Sequence, residues 1–208
     1  MKIVVLGATG GTGLEIIRQA LEHGHQVTVL VRSSERLNGF GDRISIFRGD
    51  PLNANELQRV IENHDSVLSA FGPRVPVLKA DHDLLRRFAA GLTTAMQRTE
   101  VRRVVVESVA FLFRDSIFPP AYLLGRLFFP NTVVDAGGME EIFQRSRLDW
   151  TLVRPPRLTD KPRTRSYRVR EGHLPNFGFT ISRADVANFM LKAVENRTGV
   201  GKVVGLSN

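Results

Sequence analysis

Seven residues near the start of the chain, Gly7-Ala8-Thr9-Gly10-Gly11-Thr12-Gly13, have the types and spacing to hold a diphosphate. An apolar run over 3–6 precedes them, and Leu14, Ile17 and Leu21 follow at helical spacing. Gly7 lets the chain turn sharply off a strand, Gly10 lets main chain approach a pyrophosphate, and Gly13 lets the helix pack closely on the sheet. Gly11 and the hydroxyls of Thr9 and Thr12 complete the loop. The helix N-terminus beyond it offers free N–H groups and a partial positive charge. A glycine-rich turn without a ligand is the plain alternative. The order strand, turn, helix favours the dinucleotide reading. No Gly-Lys-Ser/Thr follows, which disfavours a Walker A loop.

The second strand decides which dinucleotide. An NAD site wants an acid at its end for the ribose 2′-OH. This strand ends Val29-Leu30-Val31-Arg32, with Arg36 one helical turn on. Two guanidinium groups suit a 2′-phosphate, so NADP is expected, with NADPH preferred over NADH. The plain alternative is two surface arginines. Metal chemistry has less support. There is no Cys, which excludes disulfides and thiolate sites, and the five His show no His-x-x-x-His or His-Glu-x-x-His spacing. No metal site is expected.

The elements that position these residues alternate. Strands are predicted over 3–6, 26–31, 43–47, 66–70, 103–106 (apolar throughout), 150–153 and 202–205. Helices are predicted over 14–22, 33–37, 53–63, 81–98, 139–147 and 183–194. Alternation implies right-handed crossovers and a mostly parallel sheet with helices on both faces. The expected fold is a single doubly wound Rossmann-type α/β domain over 1–208 with a small C-terminal elaboration.

Composition agrees with a globular chain: 208 residues, 42% hydrophobic and 24% charged. The net charge is +8, and all but five of the 29 cationic residues are Arg. That charge raises the prior for anionic ligands without choosing among them. No signal peptide or spanning segment is evident, so a cytoplasmic protein with no membrane partner is expected. Two segments interrupt the alternation. Residues 111–130 hold 5 of the 13 Phe and a Pro pair, and read as a packed apolar flap, with a ligand roof or a homodimer face as alternatives. Residues 154–170 carry seven cations in 17 positions, within a basic substrate-side segment over 154–181. The usual reading is a solvated loop. An anion or nucleic-acid surface is the sharper one, with only charge behind it, and no nucleic-acid partner is expected.

On these motifs the chain resembles the atypical short-chain dehydrogenase/reductases, in particular the NAD(P)H-binding NmrA-like group and its flavin reductase (biliverdin-IXβ reductase) type. The resemblance runs nearly end to end. It covers Gly7–Gly13, Val29-Leu30-Val31-Arg32, Gly49-Asp50, Glu107-Ser108-Val109-Ala110-Phe111-Leu112, Val153-Arg154-Pro155-Pro156, Tyr167-Arg168-Val169 and Ile181-Ser182-Arg183-Ala184-Asp185-Val186-Ala187. It implies that Thr9, Gly10 and Thr12 meet the pyrophosphate, and Arg32 and Arg36 the 2′-phosphate. Asp50 and Pro51 would flank adenine, and Ala70, Phe71 and Gly72 would border the ribose and nicotinamide. Ser108, Val109, Arg154, Pro155, Pro156 and Leu158 would surround the nicotinamide ring.

Three departures shape the expected chemistry. Val109 stands where the flavin reductase type has a serine, and Arg157 where it has a histidine. The Ser…Tyr-x-x-x-Lys set of short-chain dehydrogenases is reduced to Ser108 and Tyr122-Leu-Leu-Gly-Arg126. Arg has no accessible neutral state with which to tune a tyrosine. Tyr122 reads better as a packed aromatic than as a partner of Ser108. Ser108, Arg157 and Tyr122 are therefore the candidate catalytic residues of a reductase that works mainly by positioning. The expected acceptor is a small, flat, conjugated molecule such as a flavin or quinone, with Arg157 holding its anionic group. The rival is a non-catalytic NADP(H)-sensing regulator that contacts a protein partner.

Overall fold

A computed structural model describes residues 1–73, 82–113 and 130–208. Its strands are β1 (Lys2–Leu6), β2 (Gln26–Val31), β3 (Ile44–Arg48), β4 (Ser66–Ser69), β5 (Arg103–Glu107), β6 (Asp149–Arg154), β7 (Arg157–Thr159), β8 (Arg168–Glu171), β9 (Thr180–Ser182) and β10 (Lys202–Ser207). Its helices are α1 (Gly11–Glu22), α2 (Ala54–Ile61), α3 (Leu84–Thr99), α4 (Pro130–Arg145) and α5 (Arg183–Glu195).

Eight strands form one sheet in the order β3-β2-β1-β4-β5-β6-β10-β8. Every neighbouring pair is parallel except β10 with β8. The order reverses between β1 and β4, so a crevice opens there at the carboxyl ends of the strands. Side chains alternate in β1. Ile3 and Val5 pack toward α1 and α5 with Ile16, Ile17 and Leu191, while Val4 and Leu6 pack toward α2, α3 and α4 with Leu57, Phe88 and Phe143. A strand buried on both faces reads as an unbroken apolar run, which is why these segments were visible in the sequence.

The doubly wound domain is as expected, but several local assignments change. The segment expected to be helical over 33–37 is a longer 3₁₀ stretch, Glu35–Arg43, broken at Gly41 with φ +54°. Helix α4 starts nine residues before the expected 139, and Asp135 sits inside it. Its buried carboxylate accepts from the amides of Leu85 (2.8 Å) and Arg86 (3.1 Å) and so caps α3 instead. The strand expected to be apolar opens with Arg103. That side chain is buried, and it donates to the carbonyls of Asp149, Ala193 and Thr198 and to the Thr151 hydroxyl. Burial pulls its guanidinium down to about 10, against the nearby charge of Asp149.

The basic segment is a solvated loop only in part, with residues 160–167 lacking regular structure and mostly exposed. It contains β7 and much of β8, and β7 pairs with β9 in a separate two-stranded sheet. Short strands rich in Arg lack the apolar alternation that marks a strand in sequence. Its arginines are largely engaged: Arg154 with Glu140, Arg163 with Glu22, and Arg168 with the carbonyls of Asn176 and Asn208. Asp185, in the first turn of α5, accepts from the amides of Thr164 and Arg165 and from the hydroxyls of Thr164 and Ser182. Burial pushes this carboxyl up, but the hydrogen bonds, with another from Asn208, outweigh it and hold it below the usual range. Among the described residues no helix is long and apolar enough to cross a membrane.

Candidate functional site

Glycine requirements at the β1–α1 turn follow from two clashes. Gly7 has φ +73°, and a Cβ there would run into the Ala70 carbonyl at the end of β4. A Cβ on Gly13 would run into the Gly7 carbonyl. The neighbouring atoms are main chain in both cases, so they cannot swing aside. Gly10 is the N-cap of α1, and no side chain caps the helix. Its first intrahelical bond runs from Leu14 N to Gly10 O at 2.9 Å. The amides of Gly11, Thr12 and Gly13 find no acceptor among the described residues and point out of the helix end, which has no acidic residue in its first turn. This is an anion cradle made of main chain.

Cations gather beside it. Arg32 is exposed at the end of β2, and Arg36 donates to the Thr9 carbonyl at 2.6 Å, which folds it back over the turn. A third arginine, Arg48, ends β3 opposite Val31 and donates to Ser34 Oγ at 3.3 Å. None of the three is ion-paired among the described residues. Reading strand by strand found the first two and missed Arg48, whose signal was its place just before Gly49-Asp50. Asp50 is exposed and makes a local turn, accepting from Leu52 N at 3.0 Å, and Pro51 is buried beneath it. Ala70 extends the β1–β4 ladder through a 3.0 Å bond to Leu6 O, and Gly72 is exposed. The Phe71 ring stacks on Phe88 with centroids 4.3 Å apart and packs on the α3 face of the sheet.

At the end of β5 the alternation of side chains sends two neighbours to opposite faces. Ser108 is buried and donates to Glu140 Oε1 at 2.5 Å. The same carboxylate receives Arg154 in a fork, Nε at 2.9 Å and Nη2 at 2.5 Å. The guanidinium also lies over the Phe113 ring, 4.6 Å from its centroid. Ser108 and Arg154, both expected around the nicotinamide, thus share a carboxylate the sequence reading missed. Of the Arg154 nitrogens only Nη1 is left without a described partner. Val109, Pro156 and Leu158 are half-buried and Pro155 is buried beside them. Pro155 O accepts from Ala110 N at 3.2 Å, joining the ends of β5 and β6. Arg157 is exposed, and no described group pairs its guanidinium. Tyr122 lies outside the described residues, as does the apolar flap except for 111–113 and 130.

Glu107, one residue earlier, points the other way, beneath the phosphate turn. It accepts from Thr12 Oγ1 at 3.3 Å. Burial pushes its carboxyl up to about 7, against the Thr12 hydrogen bond and the charge of Arg183. Arg183, at the start of α5, lies against Gly11 and pairs with Asp160 at 2.6 Å. Neither residue was singled out as a site residue. A carboxylate ending an otherwise buried strand was the signal. A separate groove of about 690 Å³, lined by Glu62, His64, Arg102 and Arg103 among others, opens at the amino ends of the strands and shares none of these features.

A sheet with this order, a glycine cradle at its switch point and an uncapped helix above it define a Rossmann-type dinucleotide-binding domain. Residues 7–197 match the NAD(P)H-binding family, and the chain belongs to it. It is 26% identical to the uncharacterized protein YwnB of Bacillus subtilis (strain 168), over 94% of this chain and 93% of that one. Two solved structures share the fold at lower identity. One is a short-chain dehydrogenase/reductase from Veillonella parvula DSM 2008 in complex with NADP (17% identity, TM-score 0.83, covering 100% of this chain and 94% of that one). The other is ChuY, an anaerobillin reductase from Escherichia coli O157:H7 (17% identity, TM-score 0.81, covering 100% and 97%).

Proposed function

We propose that the chain is an NADPH-dependent reductase of a flat, conjugated acceptor, flavin- or quinone-like, working mainly by positioning. One juxtaposition carries this reading. Arginines without an acidic partner among the described residues flank a main-chain phosphate cradle, while the nearby Ser108 hydroxyl is spent on Glu140. NADPH supplies the hydride when bound. The amides of Gly11 to Gly13 hold its diphosphate, and Arg32 and Arg36 pair with its 2′-phosphate. Val109, Pro155, Pro156 and Leu158 offer an apolar wall for the nicotinamide and exclude water there. Arg157 meets a carboxylate or phosphate on the acceptor. Ser108, Glu140 and Arg154 fix the spacing of the β5 and β6 ends, a positioning role. The finer resemblance to the flavin reductase type supports a stacked acceptor, since direct ring-to-ring hydride transfer needs little acid–base help.

The test is oxidation of NADPH and NADH with FMN, riboflavin and quinones, on the wild type and Arg32→Glu. The wild type should prefer NADPH, and the variant should lose at least tenfold in that preference, because the new acid repels the 2′-phosphate and accepts from ribose hydroxyls. An unchanged preference would remove Arg32 from the site. The engagement of Ser108 by Glu140 also favours a second reading, an NADP(H)-sensing regulator. Coenzyme binding with no turnover on any acceptor would select it.

A further inference from the structure

At the opposite end of the α1–α5 face, the fold joins three side chains far apart in sequence. His23 is the C-cap of α1, His25 immediately precedes β2, and Glu195 ends α5. His23 Nδ1 and His25 Nε2 each lie 2.7 Å from the same oxygen, Glu195 Oε1. One donor atom from each of the three falls within a 4.8 Å cluster. The α-amino group of Met1 lies 3.3 Å from the far His25 nitrogen, Nδ1, which leaves Nε2 directed at Glu195. The side chains are 31%, 11% and 23% exposed, open enough for an ion to enter yet held by two helix ends and the turn into β2 that carry them.

We propose that His23, His25 and Glu195 form a divalent transition-metal site that ties the end of α1 to the end of α5. Two ligands at ordinary zinc distances subtend 90–109° and stand about 2.9–3.4 Å apart, so the observed N···O spacings need open only by a few tenths of an ångström. Two imidazoles and one carboxylate suit Zn²⁺, Co²⁺ or Ni²⁺ and leave a position for water. The site is separate from the coenzyme cradle. Sequence spacing hid it because no His-x-x-x-His repeat is involved, and Glu195 enters through the fold.

The experiment uses the full chain, free of any affinity tag and stripped with EDTA. Co²⁺ and Zn²⁺ are titrated by calorimetry, with Co²⁺ visible absorption and thermal melting alongside. One equivalent should bind, with a rise in Tm on the order of 5 °C under saturating metal. Glu195→Gln and His23→Ala should each weaken uptake at least tenfold while leaving the NADPH Kd unchanged. No uptake up to millimolar metal overturns the site, as does equal uptake by both variants. X-ray absorption of Zn²⁺-loaded wild type needs no variant: imidazole scattering from two ligands is expected, and its absence refutes the assignment.

Discussion

The two ends of the crevice are built from different materials. On the β1–β2 side the site is main chain: Gly7 and Gly13 are fixed by carbonyls a Cβ would strike, and the α1 amides face outward. On the β5–β6 side it is side chain, where Ser108, Glu140 and Arg154 close a buried network and Asp185 anchors the loop at 164 and 165. A main-chain cradle accepts any diphosphate and depends on a few glycines. A side-chain network sets local shape and charge, and so bears on which acceptor fits.

The sharpest way to break this contrast is Gly13→Val. Its branched side chain meets the Gly7 carbonyl, and neither strand nor helix can yield without unpacking β1 from α1. A loss of about 3–5 kcal/mol in urea unfolding is expected, with no measurable NADPH binding by calorimetry. Gly13→Ala brings only the Cβ against the same carbonyl and is the smaller version of the test, read on whatever fraction of the chain folds. If it binds NADPH as the wild type does, the close approach is not a requirement of the site.

Glu140→Ala probes the other side. It leaves the Arg154 guanidinium, 14% exposed, without its carboxylate and Ser108 without its acceptor. Breaking a pair this buried should cost about 3 kcal/mol by urea unfolding. The NADPH Kd should move less than about threefold, since the cradle lies on the other side of the sheet's switch point. A large loss of coenzyme affinity would show that the two ends are coupled.

The same contrast explains what could be read from sequence. The cradle was legible because each glycine requirement is local, confined to a strand, a turn and the next helix. Arg32 was legible because strand ends are easy to locate when a strand is buried on both faces. Glu140 was not, since it lies 32 residues from Ser108 and on a helix whose start was misplaced by nine residues. Strands β7, β8 and β9 were missed because three or four residues are too few to show alternation. The capping of α3 by Asp135 was not legible either, because only the packing of α4 on α3 brings that carboxylate to the amides of Leu85 and Arg86.

Glu107 sits on the boundary between the two ends, and its replacement should have the smallest effect and the most specific pH signature. Its carboxyl is pushed from the usual 4.5 up to about 7, chiefly by burial. A carboxyl raised on folding stabilises through its protonated form. That contribution is complete below about pH 4.5 and fades as pH rises through about 7. Glu107→Gln stays neutral throughout, so the variant should match the wild type at about pH 4, below the unfolded value, and exceed it at pH 8. Because the residue is partly and not fully buried, a gain on the order of 1 kcal/mol is expected, read as a higher urea midpoint. The difference between the two proteins isolates this group, because every other titratable group is common to both. If the two midpoints coincide at pH 8, the Glu107 charge is solvated. The cradle would then border open water on its β5 side, not a wall able to hold a dry nicotinamide face.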